Sequence, residues 1–402
     1  DSGVEWLGEV PSHWELGRIS TYFTERRTKV SDKDYPALSV TKLGVFPQWE
    51  NVAKTNDGDN RKLAKKGDFV INSRSDRKGS SGIAKQDGSV SLINIVLQPK
   101  KINSVYSEYL FKSYSFIEEF YRVGHGIVAD LWTTRFEDIK NSLIIFPPLS
   151  EQQKIAQFLD DKIAKIDQAV DLAEKQIALL KEHKQILIQN AVTRGLNPDV
   201  PLKDSGVEWI GQVPEHWEVK KLKFVLTLSN KKEESKNSNK RYIGMENIES
   251  FTGKINDIPL IAEGIANSFY KDEILFGKLR PYLAKSYLAD FDGICSTEFL
   301  VYRSTKVLNN RFALNIFLSY GFIDAVNAST YGSKMPRANA EFISNMFLAI
   351  PPLSEQKQII DYLDKQTAKI DQAIALKTAH IEKLKEYKSV LINDVVTGKV
   401  RV

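Results

Sequence analysis

Residues Pro147-Pro148-Leu149-Ser150-Glu151-Gln152 open a long amphipathic run that extends to about Leu196. Pro351-Pro352-Leu353-Ser354-Glu355-Gln356 open a second that continues almost to the end of the chain. Each run reads as one helix. The paired prolines stop it from extending backwards, Ser150 or Ser354 is placed to N-cap it, and Glu151 or Glu355 puts acid in the first turn, where the helix dipole favours it. The inward positions of the first run are Ile155, Leu159, Ile163, Ile166, Val170, Ala173, Ile177, Leu180, Lys184, Leu187 and Ala191. Those of the second are Ile359, Leu363, Thr367, Ile370, Ile374, Lys377, Ile381, Leu384, Lys388, Leu391 and Val395, each 204 residues after its counterpart. Spacings of four and three alternate, a seven-residue period that predicts a coiled coil. Such runs make rods of roughly 60 Å at ~1.5 Å per residue. A rod of that length cannot bury its seam alone, so each helix is expected to pair with its own copy.

The rest of the chain repeats in step. DSGVEWLGEVPSHWE at 1–15 returns as DSGVEWIGQVPEHWE at 204–218, twelve of fifteen positions being identical. The chain is therefore a tandem duplication. From about 18 to 146 and from 221 to 350 the halves diverge, with faint matches at an offset of 205. Asp68–Ile71 matches Glu273–Phe276 as a buried strand, Asp87-Gly88 matches Asp292-Gly293 as a turn before the strands 89–97 and 294–303, and Leu38–Thr41 matches Ile243–Glu246. Helical stretches at 106–121 and 310–327 mix with these short strands, which predicts α+β domains. The polar run 230–240 reads as a solvated, mobile loop. The expected layout is an α+β domain over 1–148, a long helix over 149–196, a Pro-containing linker over 197–203, a second α+β domain over 204–352 and a second long helix over 353–402. Antiparallel pairing of the rods would make a pseudo-two-fold object with one domain at each end.

Composition narrows the function classes. The chain has 402 residues, 42% of them hydrophobic, and a formal charge of +5. That balance is compatible with nucleic acid without demonstrating it. The single cysteine, Cys295, excludes a disulfide framework and a cysteine-based zinc site. No apolar run reaches the ~18–20 residues that span a bilayer, and no secretory leader pattern opens the chain; a cytoplasmic, non-membrane protein is expected. No G-x-x-x-x-G-K-[ST] loop, metal-ligand spacing or G-x-S-x-G turn is present, and Gly124-x-Gly126 alone marks nothing. His13 and His216, each between Pro and Trp neighbours, read as packing beside a turn. No catalytic role and no bound metal or cofactor are expected.

Basic and amide side chains do recur on equivalent turns. Arg74, Arg77 and Lys78 follow a buried strand, and Lys278 and Arg280 hold the matching turn of the second half. Arg135 follows LWTT, while Lys334 and Arg337 sit in YGSKMPRAN. Lys42 and Asn247 occupy equivalent places beside Tyr35, Trp49 and Tyr242. Arg and Asn can make paired hydrogen bonds to guanine and adenine edges, and Lys supplies phosphate contacts, so these ten are the candidate DNA-binding residues. A second apolar row flanks the helical seam: Phe158, Leu172, Leu179 and Ile186, with Tyr362, Leu376 and Val390 on the other helix. A two-stranded coil needs one seam only, so these are the candidate subunit-interface residues.

Together the doubled D-S-G-V-E-W-x-G-x-V-P-x-H-W segment, the doubled P-P-L-S-E-Q helix entry and GKLRPYLAKSYLADFDGICSTEF at 277–299 resemble the specificity subunit of type I restriction-modification enzymes, over the full length. The resemblance implies two target-recognition domains, each reading half of a split double-stranded DNA sequence, with the antiparallel helices as the ruler between half-sites. It implies two modification subunits that methylate adenine with S-adenosylmethionine, and restriction subunits that use ATP and Mg to cleave. No family motif carries over the recognition residues. On residues alone, an enzyme without a legible site and a coiled-coil adaptor for protein partners remain the competing classes.

Overall fold

The carbonyl of Pro148 accepts hydrogen bonds from Glu151 N at 2.8 Å and Gln152 N at 3.0 Å; that of Pro352 accepts from Glu355 N at 2.9 Å and Gln356 N at 3.0 Å. The long helices are Leu149–Arg194 and Leu353–Val396, so each starts two residues before the position that a Ser150 or Ser354 cap would set. Pro148 and Pro352 are the caps, and Ser150 and Ser354 lie inside the first turn. The proline can serve because a cap contributes only its carbonyl to the helix ladder, and proline keeps that group. The chain is described by a computed structural model over residues 1–48, 58–126, 132–332 and 334–402, with Asn237 described by its backbone alone. Trp49, Leu131 of LWTT and Ser333 of YGSKMPRAN lie outside the described residues.

Two compact units form. The first comprises Asp1–Ala173 with Ala379–Val402, and the second comprises Glu174–Thr378. Each unit thus owns one stretch of both long helices, and the end of the chain belongs with the beginning. In the first unit Leu391, Val395 and Val396 are buried with Ile155, Leu159, Tyr106 and Phe111. The Tyr106 hydroxyl donates to Val396 O at 3.3 Å and Ile145 O at 3.2 Å. In the second unit Ile188, Ala191 and Val192 share a core with Trp217, Phe317, Ile359 and Leu363. Each buried leucine of this kind contributes about 1.5–3 kcal/mol.

The seam is as the heptads require. Every inward position named above is buried or half-buried. Its charged members find partners across the pair: Lys388 Nζ meets Asp167 Oδ1 at 2.6 Å in the first unit. In the second, Lys184 Nζ donates to Asp371 Oδ1 and Lys377 Nζ to Gln176 Oε1, both at 2.6 Å. Rising numbers on one helix meet falling numbers on the other, so the pairing is antiparallel. Polar seam residues with single partners fix register at some expense in stability.

The two α+β cores repeat strand for strand. In the first, Phe23–Glu25, Asn94–Pro99, Phe69–Asn72 and Ser81–Ile83 lie side by side in that order, all antiparallel. In the second the order is Leu226–Ser229, Phe299–Ser304, Ile274–Gly277 and Ser286–Leu288. The repeated acid before the central strand is buried in both. Asp68 accepts from Arg26 Nε at 2.6 Å and Lys65 N at 2.9 Å; Glu273 accepts from Arg303 Nε at 3.0 Å and Tyr270 N at 2.8 Å. The expected strands 89–97 and 294–303 are each broken by a tight turn, at 91–93 and 296–298. The expected helices over 106–121 and 310–327 are each two. Ser113 and Ser319 stop the first by donating their hydroxyls to Leu110 O and Ile316 O, both at 2.7 Å. Residues 230–240 are not a bare loop: Lys232–Glu234 pairs with Ile265–Phe269, and Ser235 is buried.

Asp371 also meets Lys254 at 3.3 Å. Burial alone would raise its carboxyl pKa, but the hydrogen bonds and charges of Lys184 and Lys254 outweigh that and hold it below the ordinary value. A depressed carboxyl stabilises the fold above its unfolded pKa and loses that contribution as pH falls through the folded one. Asp371→Asn is therefore expected to lower the melting temperature at pH 7. The gap to the wild type should close on acidification below the ordinary aspartate range; a gap that stays constant with pH would disprove this role.

Candidate nucleic-acid interface

In each unit the loop that leaves the central strand is stitched to a second loop far along the chain. In the first unit Ser75 N donates to Trp132 O and Thr134 N to Ser73 O, both at 2.9 Å. In the second, Arg280 N donates to Pro336 O at 2.7 Å and Ala338 N to Lys278 O at 2.8 Å. A further pair folds the second loop on itself: His125 with Thr133, and Tyr331 with Arg337. The scaffold is the same and the side chains on it differ. Tyr121 supports it in the first unit, its hydroxyl donating to Asn72 O at 2.7 Å.

This stitching gathers Arg74, Arg77, Lys78 and Arg135 in the first unit and Lys278, Arg280, Lys334 and Arg337 in the second, which the sequence had only set on matching turns. Some are already engaged. Arg74 lies 3.2 Å from Asp76, Arg77 lies 3.7 Å from the same carboxylate, and Lys78 lies 2.6 Å from Glu118. Arg337 is held by Glu298 at 3.0 Å. Among the described residues no carboxylate lies within ion-pair distance of Lys42, Arg135, Lys278 or Lys334. Arg280 adopts a left-handed conformation (φ 49°), as does Ala284 (φ 45°), and Arg280 Nε is buried with no hydrogen-bond partner among the described residues. Non-glycine residues so placed cost about 1–2 kcal/mol each, and such strain gathers at functional turns.

Two candidates do not join the site. Lys42 sits at the exposed tip of the hairpin Leu38–Thr41/Gly44–Pro47. Asn247 is buried, and its amide is spent on the protein. Oδ1 accepts from Gly244 N at 2.9 Å and Nδ2 donates to Ile258 O at 2.8 Å. It cannot offer an adenine the paired contact expected of it. The equivalence with Lys42 holds for the backbone, where Ala37 faces Ser89 as Tyr242 faces Ile294. A short 3-10 turn then replaces the hairpin in the second unit.

Other residues belong to the site that sequence reading did not single out. Glu298 faces Arg337, and Tyr331 and Met335 are exposed on the same loop, 64% and 50%. In the first unit a cleft of about 520 Å³ is lined by Leu92, Ile93, Thr133 and Arg135. The signal was available: the internal offset sets Glu298 against Ile93, a charge against an aliphatic chain. Among the described residues no cluster of His, Cys, Asp and Glu could hold a metal ion, and burial pushes the Cys295 thiol up to about 12.

The second apolar row divides. Phe158 and Tyr362 pack on the cores of their own units, whereas Leu172, Leu179, Ile186, Leu376 and Val390 are 50–65% exposed.

These features define a duplicated fold that presents different side chains on a repeated loop scaffold. The sequence profile of the type I restriction modification DNA specificity domain matches residues 12–181 and again 214–386. The chain therefore belongs to that family, with its domain present twice, and it is a non-catalytic specificity subunit. It is similar to the type I restriction enzyme EcoDI specificity subunit of Escherichia coli, 24% identical over 394 residues, covering 90% of this chain and 83% of the relative. The MjaVIII specificity subunit of Methanocaldococcus jannaschii is 25% identical over 426 residues, covering 98% and 94%. The fold is shared with a chain from a type I R-M system solved for its complex assembly and conformational transition (TM-score 0.71, 13% identity, 98% and 100% covered). It is also shared with the HsdS subunit from Thermoanaerobacter tengcongensis (TM-score 0.56, 15% identity, 98% of both chains covered).

Asn247→Ala would leave the buried Gly244 N without its acceptor, at about 1–3 kcal/mol. The second unit is expected to melt earlier in a thermal scan while the sequence preference of the assembled protein stays unchanged. A changed preference with intact stability would return Asn247 to the interface.

Proposed function

We propose that this chain selects a split double-stranded DNA sequence, the stitched loops of each unit reading one half-site. The observation that carries this reading is the repetition of one backbone scaffold with different polar side chains, as two readers of different sequences require. Arg74, Arg77, Lys78, Arg135, Lys278, Arg280, Lys334 and Arg337 would divide between phosphate contacts and base edges, with Lys42, outside the stitched loops, as a separate phosphate contact. Cations paired to nearby carboxylates are held in place, and those without a carboxylate are the better phosphate ligands.

The exposed part of the second apolar row, Leu172, Leu179, Ile186, Leu376 and Val390, is the proposed dock for two modification subunits. Restriction subunits complete the assembly. S-adenosylmethionine, ATP and Mg belong to those partners, and the cytoplasm is where the assembly works. Among the described residues no helix is long and apolar enough to cross a membrane.

The test is co-expression with the cognate modification subunit in a methylation-free host, followed by mapping of adenine methylation across the genome. A two-part motif with a fixed gap is expected, and exchange of residues 18–146 should alter one half only. An assembled complex that leaves no motif would defeat the reading. The helices supply a second test. Deleting one heptad from each shortens the pair by about 10 Å, close to 3 base pairs of duplex. The gap in the motif should shrink accordingly; an unchanged gap would remove the helices as the ruler.

A further inference from the structure

The turns that break the long strands are equivalent. Asn94 N donates to Ser91 O at 3.0 Å in the first unit, and Phe299 N donates to Ser296 O at 3.0 Å in the second. Ile93 therefore corresponds to Glu298. Likewise Thr133 corresponds to Arg337, since each exchanges backbone hydrogen bonds with the second loop's other limb, at His125 or Tyr331. One pair of positions is thus aliphatic and hydroxyl in one unit and an ion pair in the other.

The geometry of that ion pair is directional. Arg337 Nε lies 3.2 Å from both oxygens of Glu298, and Nη2 lies 3.0 Å from Oε1. The carboxylate occupies one edge of the guanidinium, the edge formed by Nε and Nη2. A guanidinium carries five N–H groups in a planar fork. The edge formed by Nη1 and the second Nη2 hydrogen is left, and it matches the O6 and N7 acceptors of guanine. The side chain is 39% exposed, so a base can reach it. Bracing fixes the plane of the fork before the base arrives, which removes an ordering cost from binding. As a stabiliser, an exposed pair of this kind is worth little.

We propose that Arg337, positioned by Glu298, reads a guanine in the half-site selected by the second unit, and that the first unit makes no such contact at the equivalent place. This rests on the DNA-reading function proposed above and names the base that one of its contacts takes. A phosphate contact would need only a point charge, which lysine supplies as well; the bidentate base contact needs the arginine fork.

The experiment uses the complex with its modification subunits, the wild type beside Arg337→Lys and Glu298→Gln, with assembly checked by co-purification and adenine methylation mapped genome-wide. The wild-type half-site assigned to the second unit should contain a G·C pair. Arg337→Lys should lose discrimination at that pair by roughly 5- to 150-fold, the range of one bidentate contact. The other positions, the gap and the first half-site should stay strict. Glu298→Gln, which keeps shape but not charge, should relax the same position by less. Unchanged strictness in both variants overturns the proposal. So does relaxation in the first half-site, a second half-site without G·C, or a uniform loss of methylation without relaxation, which is the mark of a phosphate contact. Failure of both variants to co-purify would make the pair structural and overturn it too. A wild-type complex that assembles and yields no split motif would instead strike the DNA-reading function itself.

Discussion

The first turn of each long helix is tied to the globular part of its unit by a glutamate and a glutamine side by side. Glu151 accepts the Trp14 indole N–H at 2.8 Å and meets His13 Nε2 at 2.9 Å; Glu355 does the same with Trp217 at 3.1 Å and His216 at 2.8 Å. The Trp14 N–H, with help from His13, holds the Glu151 carboxyl below its usual value against the effect of burial. One residue on, Gln152 is buried, accepting from Asn103 N and donating to Pro147 O, both at 2.8 Å. Gln356 accepts from Asn309 N at 2.7 Å and donates to Val307 O and Pro351 O at 2.9 Å. These bonds link the N-terminal segment, the helical hairpin and the helix entry. The orientation of a long helix on its own unit depends on its first turn.

The far ends close by the same logic. Each helix is followed by a glycine in the left-handed region, Gly195 (φ 74°) and Gly398 (φ 80°). A side chain there would be strained twice, by conformation and by contact. A Cβ on Gly195 would come within 3.1 Å of Trp217, and one on Gly398 within 2.3 Å of Pro11 and 3.1 Å of Trp14. The tryptophan that receives the start of one long helix thus lies against the end of the other in each unit. The two sequence repeats are the two halves of one lock, made twice.

Against this frame the stitched loops carry different side chains in the two units. Their backbones are held by hydrogen bonds that ask nothing of side-chain identity, so substitution there need not disturb the fold. Where cations stand beside carboxylates, as Arg337 beside Glu298, what is gained is orientation more than stability, since exposed pairs contribute little. Orientation is what a base-reading contact needs.

Much of this was legible in the chain itself. The heptads fixed which helix faces are buried, down to the lysines of the seam, because a 3.5-residue repeat leaves only one face to a partner. The doubled motifs established the duplication, and buried acids before apolar strands marked the equivalent cores. What the chain could not reveal were pairings between distant segments. The amide of Asn247 looks free in sequence and is consumed by backbone groups in the fold. Glu298 looks like an ordinary surface acid and faces Arg337 only because a turn and a loop meet. Ser150 looks like a cap, yet Pro148, two residues before it, supplies the first carbonyl. Periodicity and repetition are properties of the chain and survive in any fold that uses them. Which donor meets which acceptor, and which cation stays available, are decided only when segments dozens of residues apart are packed against one another.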